Sequence, residues 1–108
     1  MFKESLSYDD VLLEPQYSDI RSRSQIDIST VLGGKFPEIS IEMPIFSSPM
    51  DTITEDSMAI VMAGEGGAGI IHRYNTIEEQ VQLIKNCNPT EALVGAAVGI
   101  TGDYAERS

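Results

Sequence analysis

A short apolar run, Pro44-Ile45-Phe46, breaks into small and polar residues at Ser47-Ser48-Pro49-Met50-Asp51. Thr52-Ile53-Thr54-Glu55 follows as a capping-box pattern that opens a helix. A strand that stops in a polar loop and passes straight into a helix is where α/β proteins place ligands. Within that loop, Ser48 offers a hydroxyl to ribose or phosphate oxygens, or else simply fills a turn. Methionine is commonly a gap-filler in cores. Between Pro49 and Asp51 in a strand-end loop, Met50 reads better as a flat apolar surface for a ring. Asp51 either accepts a hydrogen bond from a substrate or holds the loop, and the second reading is preferred.

Three other features carry chemical potential. His72 is the single histidine and follows Ile70-Ile71 at an expected strand end. It reads equally as a residue touching a ligand at the strand tops and as a structural histidine bonded to a neighbouring loop. Cys87 is the single cysteine. It lies between two asparagines at an expected helix end, with no His close in sequence to lower its pKa, so it reads as incidental rather than nucleophilic. Gly64-Glu65-Gly66-Gly67-Ala68-Gly69 fits G-x-G-x-x-G, but the dinucleotide-binding form needs a strand before it and a helix after it. Here a helix precedes and a strand follows, so Gly64 or Gly66 is expected to end the helix in a left-handed conformation. No Cys/His cluster has metal-ligand spacing, and no transition-metal site is expected.

The elements that must position these residues fall into two parts. Residues 1–43 read as irregular or β-like. Val11-Leu12-Leu13 is stopped by Glu14-Pro15, Gln25–Ser29 and Ile39-Ser40-Ile41 alternate as half-buried strands do, and Gly33-Gly34 and Pro37 mark turns. The two alternating runs could pair as a hairpin. After residue 43, expected strands at 45–48, 68–72 and 93–98 alternate with helices at 55–63, from the Thr76–Glu79 capping box to about Asn86, and from Thr101-Gly102-Asp103 onward. Ile77, Val81 and Ile84 form one apolar stripe on the second helix, and Asn88-Pro89 stops it.

Strands recurring roughly every 25 residues, each followed by a helix, indicate βαβ units and a parallel sheet. Their apolar, non-alternating character suggests burial on both faces. The fold class is therefore α/β. An eight-unit barrel needs roughly 250 residues and this chain supplies about three units, so it is expected to be the N-terminal part of a larger (β/α)8 TIM barrel.

Composition narrows the partners. With 17 acidic against 7 basic residues the formal charge is −10, unfavourable for nonspecific nucleic-acid binding. A nucleotide substrate stays open, because backbone N–H groups and helix N-termini can hold one phosphate without a basic side chain. No apolar run approaches the roughly 20 residues of a membrane span, and the N-terminus is too polar for a signal peptide. The expectation is a soluble, cytoplasmic domain with no membrane or nucleic-acid partner.

Four ordered blocks resemble the IMP dehydrogenase and GMP reductase family. They are Leu6-Ser7-Tyr8-Asp9-Asp10-Val11-Leu12-Leu13-Glu14-Pro15, Ser47 to Thr52, Gly69-Ile70-Ile71-His72-Arg73, and Val94-Gly95-Ala96-Ala97-Val98-Gly99. The resemblance runs from Leu6 to the end of the chain. It implies a single catalytic barrel domain of which residues 1–108 are the N-terminal part, usually tetrameric, acting on a purine nucleotide monophosphate with a nicotinamide dinucleotide. Ser48 and Met50 match substrate-contacting positions, His72 a position near the substrate and nicotinamide, and Pro15 a segment that in some bacterial members reaches a neighbouring subunit's cofactor site.

The family's catalytic cysteine lies on a later loop, so no catalytic residue is expected in this stretch and Cys87 does not match it. A potassium ion would be held by residues outside the stretch. Ser47-Ser48-Pro49-Met50 favours the dehydrogenase, which oxidises IMP with NAD and water to XMP, because reductases more often carry Asn before the Met. The short bridge from Asn86 to Ala92 leaves no room for the pair of CBS modules most dehydrogenases insert there, a layout closer to GMP reductase, which uses NADPH. The pocket lies nearer the chemistry, so the dehydrogenase is preferred. GMP reductase is the alternative, and a non-catalytic barrel fragment or scaffold is a further one.

Overall fold

The structure, a computed structural model, describes residues 4–33 and 38–108. The turn expected at Gly34 and Pro37 lies outside the described residues. Strand β1 (Thr30–Leu32) pairs antiparallel with β2 (Ile39–Ile41), Thr30 opposite Ile41 and Leu32 opposite Ile39. The hairpin therefore forms, but its first strand is not Gln25–Ser29. That run is consumed by local bonds that compete with a ladder. Gln25 Oε1 accepts the backbone N–H groups of Arg21 and Ser22 at 3.0 and 3.3 Å, closing a capping box on the 3₁₀ turn Arg23–Gln25. Asp27 Oδ1 accepts the Ser29 N–H at 2.9 Å. Pairing from Thr30 also closes a shorter loop.

The three expected parallel strands are present as β3 (Phe46–Ser47), β4 (Ala68–Ile71) and β5 (Val94–Ala96), in the order β3-β4-β5. Each is shorter than its apolar run. Only β4 is mostly buried, with Ala68 and Ile71 closed to solvent and Ile70 half-buried. The expected burial of every strand on both faces fails for β3 and β5, whose residues are half-buried or exposed; each also has a hydrogen-bonded neighbour on one side only.

Helices α1 (Asp56–Gly64), α2 (Ile77–Cys87) and α3 (Tyr104–Arg107) follow β3, β4 and β5. The capping box of α2 forms as the sequence indicates: Thr76 Oγ1 accepts the Glu79 N–H at 3.2 Å and Glu79 Oε2 accepts the Thr76 N–H at 2.9 Å. The G-x-G-x-x-G segment ends α1, as its context requires. Gly66 takes a φ of 84°, its N–H bonds the Ala63 carbonyl, and the Gly67 N–H bonds the Met62 carbonyl, the paired bonds of a Schellman cap. On α2 the packed face is rotated from the expected stripe. Gln80 and Cys87 are its buried residues, Leu83 and Ile84 pack beside them, and Val81 is exposed. A polar residue thus occupies the inward position that an apolar-only pattern assigns to Val81.

Ala59 of α1, Ile71 of β4 and Cys87 of α2 form the core. Residues 4–28 lie outside it, with Leu12 and Leu13 97% and 98% exposed. The surface of 9184 Å² compares with about 5,900 Å² for a folded monomer of 11.8 kDa. The radius of gyration of 18.1 Å compares with about 13 Å for a compact domain of this length. Among the described residues no helix is long and apolar enough to cross a membrane.

Helix α1 approaches β4 at Gly69, where an added Cβ would stand 2.5 Å from Ala59 Cα and 2.7 Å from Ala59 Cβ. Gly64 has open space around the same construction. In the complete protein, Gly69→Ala should lose about 1–3 kcal/mol through overpacking. Gly64→Ala should be neutral or slightly stabilising. Chemical-denaturation midpoints measure both, and equal midpoints for the two variants would show that the α1–β4 contact is not tight.

Candidate functional site at the strand ends

The loop from β3 to α1 is held by its own backbone and one buried hydroxyl. The Met50 N–H bonds the Ser48 carbonyl at 2.8 Å, and the Met50 carbonyl accepts the N–H groups of Ile53 and Thr54 at 3.0 and 2.9 Å. Thr54 is fully buried and its Oγ1 donates to the Ser48 carbonyl at 2.6 Å. The capping box expected at Thr52–Glu55 does not form, because Ile53 and Thr54 are drawn into this turn and the helix begins later. Glu55 is the N-cap residue without a side-chain cap bond. Asp56 supplies negative charge in the first turn, which suits the helix dipole. Its carboxylate also accepts Asn86 Nδ2 at 2.6 Å, tying the start of α1 to the end of α2. That bond, more than any other contact, holds the Asp56 carboxyl below the usual carboxylate range.

His72, the residue after β4, is 3% exposed. Its Nδ1 accepts the Tyr74 N–H at 3.1 Å, which leaves the proton on Nε2 to donate to Glu55 Oε1 at 3.3 Å. The ring also stacks on Tyr74, with centroids 6.2 Å apart. Both ring nitrogens are thus engaged, Nδ1 within its own loop and Nε2 with the loop that precedes α1. The ring is thereby fixed at a strand end that also faces an open cavity.

That cavity, of about 550 Å³, is bounded by Asp51 and Glu55 from the first loop, His72, Tyr74 and Asn75 from the second, and Glu79, Gln82 and Leu83 of α2. The structure therefore brings Asp51 and His72 to one concave surface. Ser48 and Met50 belong to the same β3–α1 loop but do not line it, and Met50 is 47% exposed. Pro15 lies in the exposed N-terminal segment. Two residues at this end carry shielded polar atoms without partners among the described residues: Ser47 Oγ and both amide atoms of Asn75. Arg73 also reaches the loop after β5, its guanidinium lying where a Cβ on Gly99 would stand 2.5 Å from Nη1.

Cys87 is closed to solvent and its thiol donates to the Leu83 carbonyl at 3.3 Å. Burial first, and then the Asp56 carboxylate, push its pKa up, so it is packed as a core residue rather than poised as a nucleophile. Among the described residues no group of three or more His, Cys, Asp or Glu side chains could hold a metal ion.

Sequence reasoning did not single out Thr54 or Gln80. Gln80 Nε2 donates to the His72 and Ala97 carbonyls, both at 2.9 Å, and so reaches the ends of two strands. A usable signal was its spacing of seven residues from Cys87, which puts both on one helix face.

Residues 5–108 match the IMP dehydrogenase / GMP reductase domain. The chain belongs to this family. Over 83 residues, 77% of the chain, it is 58% identical to an inosine-5'-monophosphate dehydrogenase of Nitrosopumilus maritimus. Over 91 residues, 84% of the chain, it is 44% identical to a GMP reductase of Leishmania donovani. Over 90 residues, 83% of the chain, it is 43% identical to an inosine-5'-monophosphate dehydrogenase of Aquifex aeolicus. The chain spans 17%, 18% and 18% of the length of these three relatives. The family is one of oxidoreductases, and a mixed α/β chain with parallel strands accords with part of its barrel.

Because the Thr54 hydroxyl shares the Ser48 carbonyl with the Met50 N–H, Thr54→Val should cost roughly 1 kcal/mol, not the full penalty of an orphaned carbonyl. The denaturation midpoint of the complete protein measures this. No shift would mean that the hydroxyl does not hold the Ser48–Met50 loop.

Proposed function

We propose that the complete protein is an IMP dehydrogenase, converting IMP, NAD and water to XMP and NADH, and that this stretch supplies part of its nucleotide pocket. The observation that carries the reading is the Ser47-Ser48-Pro49-Met50 loop at the C-terminal end of a parallel strand, the end at which barrel enzymes gather their sites. The identity of 58% with a relative named as an inosine-5'-monophosphate dehydrogenase supports it. On this reading the three strand–helix units begin a (β/α)8 barrel whose later strands cover the exposed sheet edges, and the cytoplasmic enzyme is a homotetramer. Ser48 contacts the substrate's ribose or phosphate oxygens, Met50 packs on the purine, and Asp51 and His72 stand beside them, with Pro15 reaching toward a cofactor. The nucleophilic cysteine and any potassium ligands come from beyond Ser108.

Among the described residues, the Gly64–Gly69 segment does not form a dinucleotide cradle. The Gly64–Gly69 segment closes a helix instead of opening one, so no amide row points at a pyrophosphate. NAD, which accepts a hydride when bound, would be held mainly by later parts of the chain.

GMP reductase, consuming GMP and NADPH and releasing IMP and ammonia, is the second reading. It is favoured by the short passage from the end of α2 at Cys87 to the start of β5 at Val94. Assayed with IMP and NAD, the complete protein should generate NADH absorbance and XMP. Oxidation of NADPH by GMP with ammonia release, and no turnover of IMP, would replace the dehydrogenase by the reductase. Turnover of neither pair would leave a non-catalytic scaffold.

Met50 gives a residue-level check. If its side chain packs on the purine, Met50→Ala should remove about 1–3 kcal/mol of apolar contact. The Michaelis constant for the nucleotide should rise while the denaturation midpoint and NAD affinity change little. A large loss of stability with an unchanged Michaelis constant would make Met50 a core residue of the complete fold.

A further inference from the structure

The inward face of α2 is built around a polar side chain that reaches three loops. Gln80 is 3% exposed, and its amide uses both hydrogens and its oxygen. Nε2 donates to the carbonyl of His72, just after β4, and to that of Ala97, just after β5. Oε1 accepts Arg107 Nη1 at 3.1 Å. The Arg107 side chain is itself 7% exposed. Its Nη2 donates to the Asn75 carbonyl at 2.6 Å and its Nε to Asp103 Oδ2 at 2.8 Å. Two side chains therefore bond the backbone at both ends of the His72–Asn75 segment and at the end of β5, and the carboxylate of Asp103, the N-cap residue of α3.

A buried amide in the sheet–helix layer costs desolvation that an apolar residue would not. Leucine at residue 80 would pack against Leu83 and Ile84 without it. What the amide provides instead is direction. Strand β4 ends at Ile71, and the last ladder bond between the two strands is the Ala97 N–H to the Ile71 carbonyl at 2.8 Å. Beyond that point the strands diverge into loops, and Gln80 supplies the next cross-link. His72 needs that control, since its ring makes bonds at both nitrogens that depend on where its backbone stands.

We propose that Gln80 and Arg107 are positioning residues, a buried clamp that sets the place of the His72–Asn75 loop relative to β5 and so the geometry of the nucleotide site. The consequence for turnover rests on the function proposed above; the clamp itself does not.

The test uses the complete protein with Gln80→Leu, which removes the three polar bonds of Gln80 at similar volume. A second variant, Arg107→Lys, keeps the charge and loses the planar fork, for the case in which Gln80→Leu does not fold. Two readouts are taken well below the thermal transition. Amide hydrogen exchange at Tyr74 and Ala97 should speed up about tenfold or more while the core amides of α1 are unchanged. On whichever substrate pair the wild type turns over, kcat/KM should fall about tenfold to a hundredfold, in kcat more than KM, as a displaced catalytic geometry predicts.

Unchanged exchange at Tyr74 and Ala97 overturns the clamp, whatever the activity. Faster local exchange with kcat/KM within twofold of wild type makes the pair merely structural and overturns the positioning role. If the wild type turns over neither substrate pair, the proposed function fails instead, and the exchange measurement alone decides whether the clamp holds the loop.

Discussion

Helix α1 can lie on strand β4 only because Gly69 has no side chain. The backbone of Ala59 occupies the place a Cβ would take, and the methyl of Ala59 fills the remaining gap. This close approach brings Ala59 and Ile71 into one cluster and lets α2 close over it with Cys87. It also sets how α1 lies against β4, and hence where Glu55 stands to receive the His72 Nε2–H. A larger residue at either place would lift the helix, opening the core and separating the two loops that bound the cavity.

The small-residue contact positions the helices, and a few polar groups then position the loops. After β3 the Thr54 hydroxyl folds back on the Ser48 carbonyl, and after β4 and β5 the Gln80 amide takes the carbonyls of His72 and Ala97. Each bond joins residues at least six apart in sequence, so each restricts a loop that local propensity leaves free. Buried polar groups of this kind carry a desolvation cost and are retained where direction matters more than bulk burial.

The rest of the surface indicates how much is left to be covered. Edge strands β3 and β5, the exposed N-terminal segment and an area well above that of a compact monomer all belong to a chain spanning under a fifth of its relatives' length. Unpaired strand edges are aggregation templates in isolation and pairing surfaces in a larger sheet. The acidic surface, with a formal charge of −10, suits solubility and is compatible with one small anionic substrate held by backbone groups.

The sequence by itself determined the features that arise within a few residues of chain. These are the order of strands and helices after residue 43, the Thr76–Glu79 capping box, a helix stop at Gly64 or Gly66, and the polar loop around Ser48 and Met50. Their causes are local: side-chain caps, a left-handed glycine and apolar runs of strand length. Where local signals competed, the sequence was ambiguous. Gln25 and Asp27 turned their own run away from the hairpin, and Thr54 replaced Thr52 as the residue that organises the start of α1. Only the tertiary structure decided which face of α2 is inward, because Gln80 is buried by partners 8, 17 and 27 residues away and not by its own hydropathy. It likewise decided that His72 is fastened at both ring nitrogens and that Cys87 is core. Such placements depend on which carbonyls and apolar atoms arrive from distant parts of the chain, and a hydropathy pattern holds no record of them.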